Sequence, residues 1–141
     1  DALGIRTAFR YAQWPELLRQ ARAGRMMMWQ LGNSASSPDG GEFLDLAYGP
    51  NKGYGNFSRF DLPAFNELHE RQSSLPDGPQ RNALLKEQVR LLVTYAPMKV
   101  RVHQIAIGMM QPWLTGYLRH PFLRGWWKFI DVDAAAQAAQ R

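Results

Sequence analysis

One loop concentrates the side chains that could contact a ligand. The segment Gly32–Gly41 reads Gly-Asn-Ser-Ala-Ser-Ser-Pro-Asp-Gly-Gly, which is small, polar and rich in turn-forming residues. Its hydroxyl, amide and backbone N–H groups can hydrogen-bond a small solute. Just before it, the run Met26–Trp29 suits an adaptable apolar wall, since methionine repacks around varied partners. A plain surface loop and a buried strand are the alternative interpretations of these two segments.

The remaining polar residues give no pattern for catalysis or metal binding. The three histidines lie on different segments, without a paired ligand at helical spacing. The close acidic pairs Glu67/Glu70 and Asp131/Asp133 are typical of solvated faces, and no Gly-x-Ser-x-Gly motif surrounds a serine. The sequence contains no cysteine, which excludes disulfides and thiolate chemistry. We therefore expect no enzymatic activity, no metal and no cofactor.

The charge of the chain is basic and unevenly distributed. Its 141 residues include 17 Lys and Arg against 12 Asp and Glu, a formal charge of +5. The stretch Gln88–Ile130 has no acidic residue and contains many aromatic residues. Basic residues among aromatics are typical of single-strand binding, so a small basic module for nucleic acid or an anionic surface is the alternative function. A face that meets another part of a larger protein is the other interpretation.

The elements that must position the loop read as an α/β fold. Ile5–Tyr11 alternates apolar and polar residues, which predicts a half-buried strand. From Trp14 the apolar residues follow helical spacing, and Gly24 suits a left-handed cap at the end of that helix. Arg25–Leu31 then reads as a buried parallel strand. Strand, helix and strand make a βαβ unit, which places the loop at the carboxyl end of a strand, where open α/β sheets bind ligands.

Two later helices and a third strand complete the predicted elements. Asp61 suits the cap of a helix over Pro63–Ser73, and Pro79 begins a longer helix that ends near Tyr95. Lys99–Ile107 has the apolar alternation of a strand, and Ala134–Arg141 is rich in alanine and glutamine, which suits a frayed helix. With 45% hydrophobic residues the composition predicts a packed core. No apolar run approaches the roughly 20 residues of a membrane-spanning helix.

Taken in order, these segments resemble the C-terminal part of extracellular solute-binding proteins of the peptide and nickel class (family 5), which deliver ligands to ABC importers. The family pattern is a strand, a helix ending in Ala-Gly, a hydrophobic strand, and a loop like Gly-Trp-x-Ala-Asp-x-Pro-Asp followed by Phe-Leu. The similar positions in this chain are Ala23-Gly24, Gly32–Asp39, Phe43-Leu44, Asn56, Phe65–Leu68, Gln80-Arg81, Tyr95–Pro97 and Trp113–Tyr117. The resemblance covers about residues 3–133. It depends on the order and spacing of these segments together and not on any single motif.

The resemblance implies a fold like the type II periplasmic binding proteins, with this chain as a C-terminal piece of the second lobe. Residues 1–110 would be the C-terminal half of that lobe. Residues 111–141 would cross the hinge and return to the first lobe, which is not in this sequence. The implied location is periplasmic, with the signal peptide outside this chain. The implied function is capture of a peptide or other small solute, with an ABC transporter permease as partner, no nucleic acid and no membrane span.

The resemblance and the position of the loop together select the ligand-facing residues. We predict that Asn33, Ser34 and Ser36 face the solute, with Trp29 and Asp39 as further candidates. Ser36 stands where the family has an aspartate that, in peptide binders, can pair with the α-amine of the ligand. A neutral serine does not make that charge-assisted contact. We therefore expect either an oligopeptide held in another way or a different small solute, with Asp39 available for ligand contact or for turn formation.

Overall fold

The computed structural model describes residues 3–103, 105–122 and 125–139. The α-helices are α1 (Trp14–Arg22), α2 (Pro63–Ser73), α3 (Pro79–Tyr95) and α4 (Ala134–Ala138). The strands β1 (Leu114–Thr115) and β2 (Asp131–Val132) pair antiparallel. Short 3-10 helices cover Gly40–Ala47, Gly49–Asn51 and Trp126–Phe129. The chain thus combines helices with a small sheet, and no helix in the described ranges has the length and apolarity to cross a membrane.

The chain divides into two compact units. The first contains the residues up to Gly32 together with Gly40–Met98. The second contains Asn33–Asp39 together with the chain from Lys99 onward. The predicted division at residues 110 and 111 separates the second lobe of the larger protein from the segment that returns to the first lobe. That division stays a prediction.

Helix α1 forms where the apolar spacing predicts it. Pro15 lies in its first turn, where the fixed φ of proline suits a helix start and the missing N–H breaks no helical bond. After the helix, Gly24 adopts a φ of +68°, a conformation that costs glycine little. The N–H of Gly24 donates to the carbonyl of Ala21 at 3.0 Å. Nη2 of Arg59 donates to the carbonyl of Arg22 at 2.7 Å, so this helix end is closed by the backbone and by a distant arginine.

The strands predicted on either side of α1 are not formed, and the βαβ unit is corrected accordingly. Neither Ile5–Tyr11 nor Arg25–Leu31 is helix or strand, and Phe9 is 80% exposed. Met27, expected inside, has its side chain fully exposed. The physical reason is that a strand needs a neighbouring strand to take its N–H and carbonyl groups, and none lies beside these segments in the described chain.

Helices α2 and α3 match their predicted limits and pack against each other. Two polar side chains bridge them. Nε2 of Gln88 donates to the carbonyl of Phe65 at 3.4 Å. Nε of Arg81 donates to the carbonyl of Gln72 at 3.2 Å and to its side-chain oxygen at 3.1 Å. Pro63 and Pro79 lie in the first turns of α2 and α3, which explains why the sequence predicts both helix starts.

Asp61 does not cap α2. The residue before the helix is Leu62, which makes no side-chain cap hydrogen bond. Instead, the Asp61 carboxylate accepts from Lys52 Nζ at 2.5 Å and from Asn66 Nδ2 at 2.8 Å. These donors hold the pKa of Asp61 below its usual value, the Lys52 bond most of all. The acid therefore joins the helix to the preceding loop instead of satisfying the helix N–H groups.

The hydrophobic core belongs to the first unit. Leu44, Ala47 and Phe65 are buried together where the Gly40–Ala47 helix meets α2. Half-buried side chains from α3 and from the segments before α2 and after α3 cover this cluster: Phe60, Leu62, Leu85, Leu91, Leu92 and Met98. Full burial of one such side chain contributes about 1.5–3 kcal/mol. These apolar contacts pack the Gly40–Ala47 helix against the helical pair.

The second unit is held mainly by local contacts. Leu114 of β1 lies opposite Val132 of β2, and the N–H of Asp133 donates to the carbonyl of Trp113 at 2.9 Å. Asp133 caps α4 through its carboxylate. The strand predicted over Lys99–Ile107 is not formed at its described positions, and Gln104 lies outside them. The same absence of a neighbouring strand explains this correction.

Candidate functional site

Residues 33–39 of the predicted ligand-binding loop lie in the second unit and form no helix or strand. The loop is shorter than predicted at its end, because Gly40 and Gly41 begin the 3-10 helix of the first unit. A bend spans residues 36–38. Asn33, Ser34 and Ser36 are exposed. The loop therefore presents one amide and two hydroxyls at the surface, groups that both donate and accept hydrogen bonds.

Asp39, the only carboxylate in the loop, is half-buried. Its N–H donates to Oγ of Ser37 at 3.4 Å, a side chain-to-backbone bond of the kind that closes a turn. Ser36, Ser37 and Asp39 each make a further interaction within the chain. This bond uses the backbone of Asp39 and the side chain of Ser37, so turn formation and solute contact by the Asp39 carboxylate both stay predictions.

Trp29, the fifth candidate, belongs to the first unit. Its ring stacks on Trp14 with centroids 6.4 Å apart and meets Phe57 edge-on at 5.1 Å. The residue is half-buried by these contacts. Trp29 thus joins the segment after α1 to the chain near Phe57. The four loop candidates are contiguous in one unit, and Trp29 is assigned to the other.

A polar cluster that the sequence did not reveal surrounds His69 on α2. The side chain of His69 is only 8% exposed. Its ring lies between those of Tyr48 and Phe65, at centroid distances of 4.3 Å and 6.4 Å. Nε2 of His69 lies 3.1 Å from Oδ1 of Asp45. The hydroxyl of Tyr48 donates to Oε1 of Glu70 at 2.9 Å. We call these five residues the His69 cluster.

The electrostatics of the His69 cluster oppose a positive charge on the imidazole. Burial lowers the pKa of His69, and this effect outweighs the attraction of Asp45 and Glu70, which acts in the opposite direction. The Asp45 side chain is 53% exposed, so water screens its pull on the ring. The pKa of Tyr48 is raised, mainly by its hydrogen bond to Glu70 and to a smaller extent by burial. The phenol therefore stays protonated and donates to Glu70.

The sequence did not single out this cluster because its members are spread along the chain. Its sequence neighbours do not distinguish His69 from His103 and His120, which are both exposed. Asp45 and Tyr48 lie on the far side of the Gly49–Asn56 loop, so no spacing rule relates them to α2. What marks His69 is the pair of aromatic rings that flank it, and folding brings one of them, Tyr48, to the histidine from a distant part of the chain.

Asn56 holds the loop between the Gly40–Ala47 helix and α2. It is fully buried, and its Nδ2 donates to the carbonyls of Tyr48 at 3.0 Å and Phe60 at 2.7 Å. Its Oδ1 accepts from the hydroxyl of Ser58 at 2.8 Å. Asn66 adds a second tie, since its Oδ1 accepts from the N–H of Gly49 at 2.9 Å. Both asparagines lie in segments on which the predicted resemblance depends, and the structure gives them a structural role.

Within the residues described, no three His, Asp or Glu side chains converge so that they could hold a metal ion. Comparison of the chain with protein-family models, with curated proteins and with solved structures finds no match. The functional inference therefore depends on the residues of this chain and their geometry.

Proposed function

We propose that this chain is part of the second lobe of a periplasmic solute-binding protein, similar to family 5, that captures a peptide or other small solute for an ABC importer. It would bind and release the solute without covalent chemistry. Its partners would be the solute, the first lobe of the same protein and a transporter permease. The ordered resemblance along the chain supports the family, and one feature of the structure supports the incomplete lobe.

That feature is the exposure of large apolar side chains on two segments outside the helical core. Phe9 is 80% exposed, and Ile105 and Ile107 are exposed by 89% and 85%. The other members of this exposed set are Ile5, Tyr11, Val100, Val102 and Met109. Covering one such side chain contributes about 1.5–3 kcal/mol, and soluble monomers seldom leave contiguous apolar patches open. These segments are therefore suited to lie against other parts of a larger lobe.

The loop supplies the proposed contacts with the solute. The amide of Asn33 and the hydroxyls of Ser34 and Ser36 would orient it by hydrogen bonds. Because the exposed groups of the loop are neutral, a charged amine receives no ion pair from them. The proposed solute is therefore a small polar molecule, or a peptide bound through its backbone.

Native mass spectrometry of the protein produced from its complete gene and purified without denaturation tests this proposal. We expect a bound solute of a few hundred daltons that denaturation releases. Substituting Asn33→Ala together with Ser36→Ala removes two proposed hydrogen bonds, each contributing about 0.5–1.5 kcal/mol, so affinity should fall by roughly 5- to 150-fold.

The matched control is Ser74→Ala with Asn82→Ala, which removes the same two side-chain types from exposed positions at the end of α2 and on α3. This control should leave affinity unchanged. Equal affinity in both double variants would overturn the assignment of the loop. Failure to retain or bind any peptide or small solute would overturn the function itself.

A further inference from the structure

His69 combines deep burial with one unpartnered ring nitrogen. Among the buried side-chain atoms of the described residues, its Nδ1 has no hydrogen-bond partner. The other ring nitrogen, Nε2, faces the carboxylate of Asp45 at 3.1 Å. A carboxylate beside one nitrogen favours the tautomer with its proton there, which leaves Nδ1 bare. A second proton must therefore go to a buried atom with no acceptor.

We propose that the His69 cluster is a pH-sensitive clasp that holds the Gly40–Ala47 helix against α2 and opens when His69 is protonated. The helix reaches the cluster through Asp45, and Tyr48 follows the helix directly. The neutral imidazole fits between the rings of Tyr48 and Phe65. The imidazolium would be a buried cation with an unsatisfied donor, a state that structures avoid by local opening.

Two acidic groups face the histidine and would moderate the response. Asp45 approaches from the Gly40–Ala47 helix, and Glu70 is its neighbour on α2. Both favour the charged ring, but Asp45 is half exposed and the Glu70 carboxylate accepts the hydroxyl proton of Tyr48. The direction of the pKa of His69 agrees with this geometry, since burial has the larger effect. Acid therefore weakens the clasp.

The clasp is next to the predicted ligand-binding loop in the chain. Asp39 is the last residue of that loop in the second unit, and Gly40 is the first residue of the 3-10 helix. Release of the helix would free the C-terminal end of the loop. This link to solute binding rests on the proposed function, whereas the clasp itself does not.

The test uses the chain without any solute and combines two measurements. Proton NMR follows the pH titration of each histidine, and hydrogen exchange follows the amides of Gly40–Ala47 at pH 7.5 and pH 5.0, corrected for intrinsic exchange. We expect His69 to titrate below the ordinary value of a histidine, because its imidazole is buried. Protection of the helix amides should fall at the lower pH. Once His69 is fully protonated, the loss should be about tenfold for each pH unit by which the closed clasp lowers the midpoint of His69. The amides of α3 should stay protected, which distinguishes local opening from global unfolding.

Three variants complete the test. His69→Phe keeps a ring between Tyr48 and Phe65 and should make protection of the helix independent of pH. Asp45→Asn keeps the histidine and should lower its midpoint further, so it remains informative if His69→Phe does not fold. The control His103→Gln removes an exposed histidine and should change nothing.

The proposal is overturned if the wild-type helix is equally protected at both pH values, or if His69→Phe loses protection in acid as the wild type does. If the protein produced from its complete gene binds no solute while the acid response is present, only the proposed function is contradicted. A chain that binds solute at both pH values, with a pH-independent helix, would contradict only the clasp.

Discussion

Asn56 is the residue on which the loop before α2 depends most. Its buried side chain satisfies the partly buried carbonyls of Tyr48 and Phe60 and accepts from the hydroxyl of Ser58. Truncation would remove three hydrogen bonds and leave the two carbonyls without this donor, which costs more than the bonds themselves contribute. We expect Asn56→Ala to lower the free energy of unfolding by about 3 kcal/mol, measured by urea denaturation. Asn82→Ala, on the exposed side of α3, should change it by less than about 0.5 kcal/mol. Equal effects would contradict this role.

At the same scale, residue type was predictable and residue role was not. Asn56 stands out in the sequence only as a position of family resemblance, and its partners are backbone groups that folding brings to it. Asp61 has the residue type of a helix cap, but Lys52 and Asn66 compete for its carboxylate. His69 has no local signal at all. Of the five predicted ligand residues, Asn33, Ser34 and Ser36 are exposed as ligand contact requires, and their contact with a solute awaits the binding measurement.

Helices were predictable at the scale of elements because their signals are local. Pro63 and Pro79 mark helix starts, Gly24 marks an end, and each acts through the dihedral angles of its own segment. Strands were not predictable, since Ile5–Tyr11 needs a partner that the described chain does not place beside it. The two strands among the described residues are each two residues long, which is too short for an alternating pattern to show in the sequence.

The β1–β2 pair depends on a single glycine that follows β1. Gly116 has a φ of +74°, and a Cβ at this position would collide with the carbonyl oxygen of Phe129. We expect Gly116→Ala to abolish the pairing of Leu114 with Val132, because so short a sheet cannot compensate for backbone strain of about 1–2 kcal/mol. Loss of the cross-strand nuclear Overhauser effects would show it. Gly125→Ala, with only ordinary contacts to Lys128, is the control, and a sheet that survives Gly116→Ala would contradict the expectation.

At the scale of the whole molecule, burial separates the two units. The first unit holds the core around Phe65, whereas none of the described residues in the second unit is buried. The aromatic residues there pack locally, as Tyr117 does on Trp126 at 5.3 Å, and the guanidinium of Arg119 donates to the carbonyl of Ala106. Arg124, one of the basic residues in this stretch, lies outside the described residues. The basic and aromatic composition of this region therefore suits a face that meets another part of a larger protein.

Hydrogen exchange in two forms of the protein tests that interpretation. In this chain alone, amides of α2 and α3 should be protected, while those of residues 99–103 and 105–110 should exchange near the intrinsic rate, because these residues form no helix or strand and are exposed. In the protein produced from its complete gene, the same amides should gain at least about tenfold protection, since neighbouring strands would take their hydrogen bonds. The amides of α3 serve as the internal control and should change little between the two forms. Two results would contradict this interpretation: protection of residues 105–110 in a dilute monomer of this chain, and no protection of them in the complete protein. Either would show that other parts of a larger lobe do not cover these apolar residues.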